Sequence, residues 1–311
     1  MSFPLEEMRA LGRPVVRVVV AETHGSVPRE VGASMLVSED GVTGTIGGGA
    51  LEFEAIERAR LVLENGKERL DRLPLGPGLG QCCGGAVTLL TEVWDTARLE
   101  GFDAVVARPV PGQAGAMPLT VKRLLSKARN AGDVPKPGMI DGWMIEPVSH
   151  PTREIWVWGA GHVGRALVGA LAPLPDLRVR WADTGRSRFP VDIPASAETL
   201  IAENPADLVT LSGQNAEHFV LTYSHALDLE ICHRVLSQPF GTLGLIGSAT
   251  KRARFRKRLA ALGHSAAQID RMICPIGDPA LGKHPQAIAL GVATALLLQK
   301  ARKAGGLEQR A

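Results

Sequence analysis

The sequence predicts an α/β protein: a C-terminal Rossmann-like, doubly wound parallel sheet preceded by a smaller α+β N-terminal domain. Two observations predict it. From Glu154 onward, short apolar runs alternate with helical periodicity: strand Ile155–Trp158, helix from His162, strand Val179–Ala182, strand His218–Thr222, helix from Asp228, strand Thr242–Ile246 and helix from Thr250. The stretch "VWGAGHVGRAL" then sets Gly159, Gly161 and Gly164 in G-x-G-x-x-G spacing, directly after a strand and at the start of a helix. Those positions call for a tight turn, a bare backbone that a phosphate can approach, and close packing of helix on strand.

Asp183 closes the second strand about 20 residues past the third glycine, where a ribose-binding acid belongs. Gly159, Gly161, Gly164 and Asp183 therefore form a dinucleotide-type site suited to NAD(P), although glycines kept for packing alone read the same way. Arg186 and Arg188 follow, and either an extra phosphate or solvent accounts for them.

The N-terminal part reads as strands Val15–Val20, Ala33–Val37 and Val42–Ile46, then the turn Gly47-Gly48-Gly49. Leu51, Ala55, Ala59, Val62 and Leu63 recur at helical spacing and stop at Asn65-Gly66. A glycine-rich loop, 76–85, leads to strand Ala86–Val93. Residues 96–150 carry one helix around Thr120–Asn130 and a Pro/Gly-rich run, and read as a connector partly packed on the N-terminal domain. The expected domains are 1–95, the connector 96–150, and 151–311.

Composition excludes several classes. Hydrophobic content of 45% and charged content of 22% are globular values over 311 residues. A net charge of +3 gives no nucleic-acid footprint, and "KRARFRKR" at 251–258 reads as the solvated face of a helix. The start lacks a signal-peptide pattern, and the apolar run Ala287–Leu298 falls short of the ~18 residues of a membrane span and reads as a buried helix. The expected location is cytoplasmic.

Chemistry-bearing residues are few. His225 and Asp228 stand at i and i+3, close enough on a helix to share a proton, and His233 and His284 are further candidates for a general acid. Among the four cysteines, Cys232 and Cys274 sit in apolar contexts and read as core, whereas Cys82 and Cys83 lie in the loop "GQCCGG". An adjacent pair is a poor start for tetrahedral zinc, which wants C-x-x-C spacing and two more ligands. A single thiolate as soft ligand to a metal carried by another molecule stays open, beside a structural reading.

Six segments, "THGSVPREVGASMLV…GTIGGGALE", "GQCCGG", "VWGAGHVGRAL" with "WADTGRSRF", "YSHALDLEI", "GLIGSATKRARFRKRL" and "CPIGDPALGKHPQAIAL", resemble the XdhC/CoxI family in order and over nearly the whole chain. The resemblance implies an accessory protein, not an enzyme. It implies a chaperone that binds the molybdenum cofactor (molybdopterin), shelters it, presents it to a cysteine desulfurase and promotes its insertion into the molybdenum subunit of xanthine dehydrogenase. Molybdenum cofactor biosynthesis proteins and a second copy of the chain, giving a homodimer, are the other implied partners. Cys83, and after it Cys82, is the implied cofactor ligand, with Cys83 touching the molybdenum.

For the cofactor's phosphate the preferred dock is Gly47-Gly48-Gly49, with Ser26, Arg29 and Glu52 in neighbouring segments. An ion pair of Arg29 with Glu30 or Glu52 is the alternative. The chain departs from relatives at Pro275–Gln286, where acids before the last helix are altered, and at Tyr223-Ser224-His225. Two other functions stay in play: an NAD(P)-dependent oxidoreductase in which Asp183 holds the ribose and His225 is the acid, and a sulfur relay through Cys82 and Cys83.

Overall fold

The computed structural model describes residues 2–76, 84–102, 104–148 and 151–305. The chain divides into two compact units, Met1–Ser149 and His150–Ala311.

In the first unit a short helix, α1 (Leu5–Leu11), precedes β1 (Val15–His24), β2 (Ser34–Ser38) and β3 (Gly41–Gly44). Then come α2 (Gly49–Asn65), β4 (Arg69–Pro74) and β5 (Ala86–Trp94). The five strands form an antiparallel sheet in the order β3-β2-β1-β5-β4. The apolar run that marks β1 does not alternate because both faces are covered. Val16, Val18 and Val20 pack under Leu51, Ala55, Ala59 and Val62 of α2, while Val19 and Ala21 face the other way, onto Met144. Helix α2 ends where Gly66 takes a left-handed φ of 68° and its N–H donates to Val62 O, as Asn65-Gly66 foretold.

The expected connector, 96–150, is instead the outer layers of this unit. Strands β6 (Val105–Pro109), β7 (Gly138–Ile140) and β8 (Trp143–Pro147) form a second antiparallel sheet, order β6-β8-β7, with α3 (Leu119–Ala131) between β6 and β7 in the chain. Val121 of α3 packs on Trp143 and Ile145, on one face of β8; Met144 and Glu146 take the other face, toward β1. There Arg17 donates twice to Glu146, at 2.8 and 2.7 Å, and Arg108 reaches both Glu146, at 2.7 Å, and Glu92, at 2.6 Å. All four are buried. Burial works against the charge of Glu146, but Arg17 and Arg108 prevail and hold its carboxyl below the usual range. The expected helix around Thr120–Asn130 is α3; the strands, short and with charges facing inward, carry no period-2 apolar signal, which is why they read as connector.

The second unit runs β9 (Arg153–Trp158), α4 (His162–Leu171), β10 (Leu177–Asp183), β11 (Ala197–Ile201), β12 (Glu217–Val220) and α5 (His225–Leu236). It continues with β13 (Thr242–Leu245), α6 (Ala249–Ala261), α7 (Ala266–Asp270), β14 (Met272–Ile273) and α8 (Pro285–Gly305). Its parallel sheet has the order β11-β10-β9-β12-β13-β14, the doubly wound arrangement in which the order reverses between the first and fourth strands. Helices α4 and α8 cover one face, α5 and α6 the other.

Helix α8 departs from the expected buried helix. Ala289, Val292, Ala293 and Leu296 are buried, whereas Leu290, Leu297 and Leu298 are 45% to 60% exposed. On α6, Phe255 and Leu259 are buried and Arg254, Lys257 and Arg258 face solvent, as the basic run suggested. Inside the sheet, the Trp158 Nε1–H donates to His218 Nδ1 at 3.2 Å, and burial pulls the His218 pKa down to about 3. No described helix is long and apolar enough to cross a membrane.

Candidate functional site

Three loops meet at one end of the strands of the five-stranded sheet. His24 of β1 pairs with Ala86 of β5, so the chain leaving β1 and the chain entering β5 run side by side. A Cβ on Gly85 would overlap Ser26 O and sit 2.5 Å from His24 O, and one on Gly25 would sit 3.2 Å from Gly85 Cα. These glycines let two backbones touch. Gly47, at φ 132°, brings in the third loop: a Cβ there would lie 2.6 Å from Pro28 Cγ. The Leu75 N–H donates to Gly85 O at 2.8 Å, which ties both ends of the segment that carries the paired cysteines next to Ser26. Cys82 and Cys83 themselves lie outside the described residues.

The triple-glycine turn is filled from within. Glu52 Oε2 accepts from Thr45 Oγ1 at 2.5 Å, from Ile46 N–H at 3.0 Å and from Gly48 N–H at 3.1 Å. The Gly47 N–H donates to Thr45 Oγ1 at 3.1 Å. Burial alone would raise the Glu52 pKa, but these donors outweigh it and hold the carboxyl below its ordinary range. Within the expected phosphate dock, Gly47-Gly48-Gly49, the Gly48 N–H is therefore engaged by a carboxylate of the chain and the Gly47 N–H by Thr45. The signal was present as an acid in the first turn of a helix whose N-cap is glycine.

Arg29 stands beside this turn and is half-buried. Its Nε is 3.6 Å from Glu30 Oε2, a loose pair, and its Cγ lies 3.6 Å from the Cβ position of Gly47. Of the two expected pairings the structure has Glu30 and not Glu52. Ser26 is exposed beside it in the same loop.

In the second unit the Rossmann turn lies at the carboxyl end of β9. A Cβ on Gly159, at φ 115°, would sit 2.6 Å from Leu221 O, and one on Gly164 would overlap Gly159 O. Those two glycines serve packing. Gly161, with φ −74°, has nothing within 4 Å of its Cβ position, so neither backbone nor neighbours require a glycine there. Asp183 closes the turn: Oδ2 accepts from Ala160 N–H at 2.6 Å and Oδ1 from Thr184 N–H at 2.6 Å. The expected ribose acid is buried and engaged with its own loop. Arg188 turns back toward it, with Nε 3.5 Å from Asp183 Oδ1 and its guanidinium 4.5 Å from the Tyr223 ring centre.

The proton-transfer set expected for an oxidoreductase is not assembled. Asp228 is buried and accepts from Thr222 N–H at 2.9 Å, Thr222 Oγ1 at 2.7 Å and Lys251 Nζ at 2.6 Å, while His225 is exposed. Lys251, which the sequence reading missed, is the partner Asp228 uses. His233 Nδ1 lies 2.7 Å from His264 Nε2, and His284 Nδ1 accepts from the Gln286 N–H. Cys232 and Cys274 are buried, and burial pushes both thiols up, away from the thiolate.

Two family models match the chain in the same order as these sites: "XdhC and CoxI family" over residues 8–74 and "XdhC Rossmann domain" over residues 155–296. The chain belongs to the XdhC/CoxI family. Among relatives, it is 28% identical over 300 residues to the uncharacterized protein YqeB of Escherichia coli K12, covering 94% of this chain and 45% of that protein. The chain thus spans less than half the length of that curated relative. A crystal structure described as a xanthine dehydrogenase from Bacillus halodurans shares the fold, at TM-score 0.65 and 19% identity, with 98% of this chain and 96% of that one aligned. The XdhC and CoxI match includes Ser26, Arg29, Gly47, Gly48, Gly49 and Glu52, and the XdhC Rossmann match includes Gly159, Gly161, Gly164 and Asp183. The three-stranded layer lies outside both.

Proposed function

We propose that this chain is a maturation factor for a xanthine dehydrogenase, an accessory protein that carries the molybdenum cofactor as cargo. The observation that carries the reading is the convergence, at one end of the sheet's strands, of Arg29, Ser26 and the tied ends of the segment bearing Cys82 and Cys83. Family membership supports the client, and the description of the Bacillus halodurans protein points to the same enzyme.

In this reading Arg29 takes the cargo's phosphate through its planar fork of donors, and the Ser26 hydroxyl adds a neutral one. A thiolate of Cys83, or of Cys82, is the soft ligand to molybdenum. The cargo supplies the redox chemistry of the client; the chain holds, shields and releases it. A cysteine desulfurase, the molybdenum subunit of the client and a second copy of the chain are the proposed partners.

Anaerobic gel filtration after mixing with released molybdenum cofactor tests this. Molybdenum and pterin are expected to co-elute with the wild type, and to be lost from Cys83→Ala and Arg29→Ala. A wild type that carries neither overturns the reading. Binding that survives in both Cys82→Ala and Cys83→Ala removes the thiols from it.

A further inference from the structure

The turn at the start of α2 holds three donors on one carboxylate oxygen, and that oxygen belongs to the chain itself. Thr45 Oγ1, Ile46 N–H and Gly48 N–H all point to Glu52 Oε2, at 2.5, 3.0 and 3.1 Å. The same turn seats Pro28, because only a residue without Cβ at Gly47 lets the proline ring approach, and Arg29 follows Pro28 directly. We infer that Glu52 is a positioning residue: its carboxylate occupies the place an external anion would take, fixes the turn against Pro28, and so leaves Arg29 as the anion contact.

The physical case is one of competition. Backbone N–H groups at a helix start bind whatever anion is nearest, and an acid four residues along the same chain is present at very high effective concentration. A phosphate arriving from solution would have to displace it and leave a partly buried carboxylate without donors. Arg29 offers a cheaper contact, since its pairing with exposed Glu30 is loose. Glu52 thereby steers an anionic ligand away from the Ile46 and Gly48 N–H groups and toward the loop that adjoins Gly85.

This inference rests on the cargo reading for its purpose but is tested without the cargo. Inorganic pyrophosphate is titrated calorimetrically into the full chain. The wild type is expected to bind at one weak site that weakens at least tenfold in Arg29→Ala. Glu52→Ala is expected to gain a second site that persists in the Arg29→Ala/Glu52→Ala double variant and that formate, standing in for the lost carboxylate, blocks. Glu52→Gln keeps an oxygen in the turn and is expected to gain none, a distinction that a merely structural role for Glu52 does not produce. If Glu52→Ala does not fold, Glu52→Asp, whose carboxylate falls short by one methylene, replaces it with the same expectation. Wild-type binding indifferent to Arg29→Ala, or a folded Glu52→Ala with no gained site, overturns the inference. Because molybdenum is absent throughout, failure of the cofactor to co-elute counts against the proposed function alone.

Discussion

Two glycine-rich strand-to-helix turns, one in each unit, look alike in the sequence and behave differently in the structure. Gly47-Gly48-Gly49 and Gly159–Gly164 both open a helix whose N-cap lacks a side-chain hydrogen bond. In the first, an acid from inside the helix, Glu52, takes the N–H groups of Ile46 and Gly48. In the second, the acid comes from the next strand, and Asp183 takes the N–H of Ala160, just before the helix. Both turns keep one glycine with open space beside it, Gly48 and Gly161, but the φ of 76° at Gly48 favours glycine whereas the φ of −74° at Gly161 suits any residue. At each helix start, backbone N–H groups just ahead of the helix are taken by a carboxylate of the chain itself.

The largest effect is expected from Gly164→Ala, whose methyl overlaps Gly159 O with only backbone to yield. Overpacking against backbone costs about 3 kcal/mol, and at about 2–4 °C per kcal/mol the melting temperature falls by about 10 °C. A variant melting like the wild type would mean the two turns are equally relaxed. Next comes acid. His218 is neutral in the fold, with a pKa of about 3 against the ordinary 6.5, so the unfolded chain takes up a proton that the folded chain refuses. Stability tied to His218 is complete above pH 6.5 and declines as pH falls toward 3, by about 2 kcal/mol at pH 5. Denaturant unfolding of wild type and His218→Phe across that range is expected to show the slope in the wild type only.

Glu52→Ala strands three donors at partly exposed positions and is expected to lower stability by about 1–2 kcal/mol in urea unfolding. Its acid window differs from that of His218. A carboxyl held below the ordinary 4.5 stabilises fully above that value and loses the contribution as pH falls through the depressed one. The gap between wild type and Glu52→Gln is therefore expected to be constant from pH 7 to about 5 and to close below; a gap already closing at pH 6 would contradict the hydrogen-bond geometry. The smallest effect is expected at Gly161→Ala, within about 0.5 kcal/mol of the wild type, because its φ suits any residue and the space is open. NADH fluorescence titration adds a functional reading of that space: binding lost in Gly161→Ala makes the second turn a nucleotide site, and no binding in either protein makes it a packing turn.

Much of the second unit was legible because its elements obey strong periods. Strands β9, β10, β12 and β13 and helices α4, α5 and α6 begin within a few residues of where apolar runs and glycine spacing put them. Strand β11, a half-buried edge, and β14, two residues long, were not, since neither has room for a pattern. In the layer built from β6, α3, β7 and β8 the helix was legible around Thr120–Asn130, but the strands were not: Arg108 and Glu146 occupy inward positions that the sequence marks as polar, and only their pairing with Glu92 and Arg17 makes them core. In the candidate sites, Ser26, Arg29 and the glycines were visible as motifs. The engagement of the Ile46 and Gly48 N–H groups by Glu52 was not, nor was Lys251 as the partner of Asp228.

The glycine turn that starts α4 and the helix stop at Gly66 are written in residues within one or two turns of one another, and the parallel sheet was legible from the alternation of strand and helix patterns along the chain. It takes the folded chain to bring Arg17 and Glu146, 129 positions apart, together inside the first unit, and to lay Gly85 on Ser26. Folding also decides which acid fills which helix start. A side chain's type is local, but whether its hydrogen bonds go to a ligand or to its own backbone depends on distances that folding alone sets.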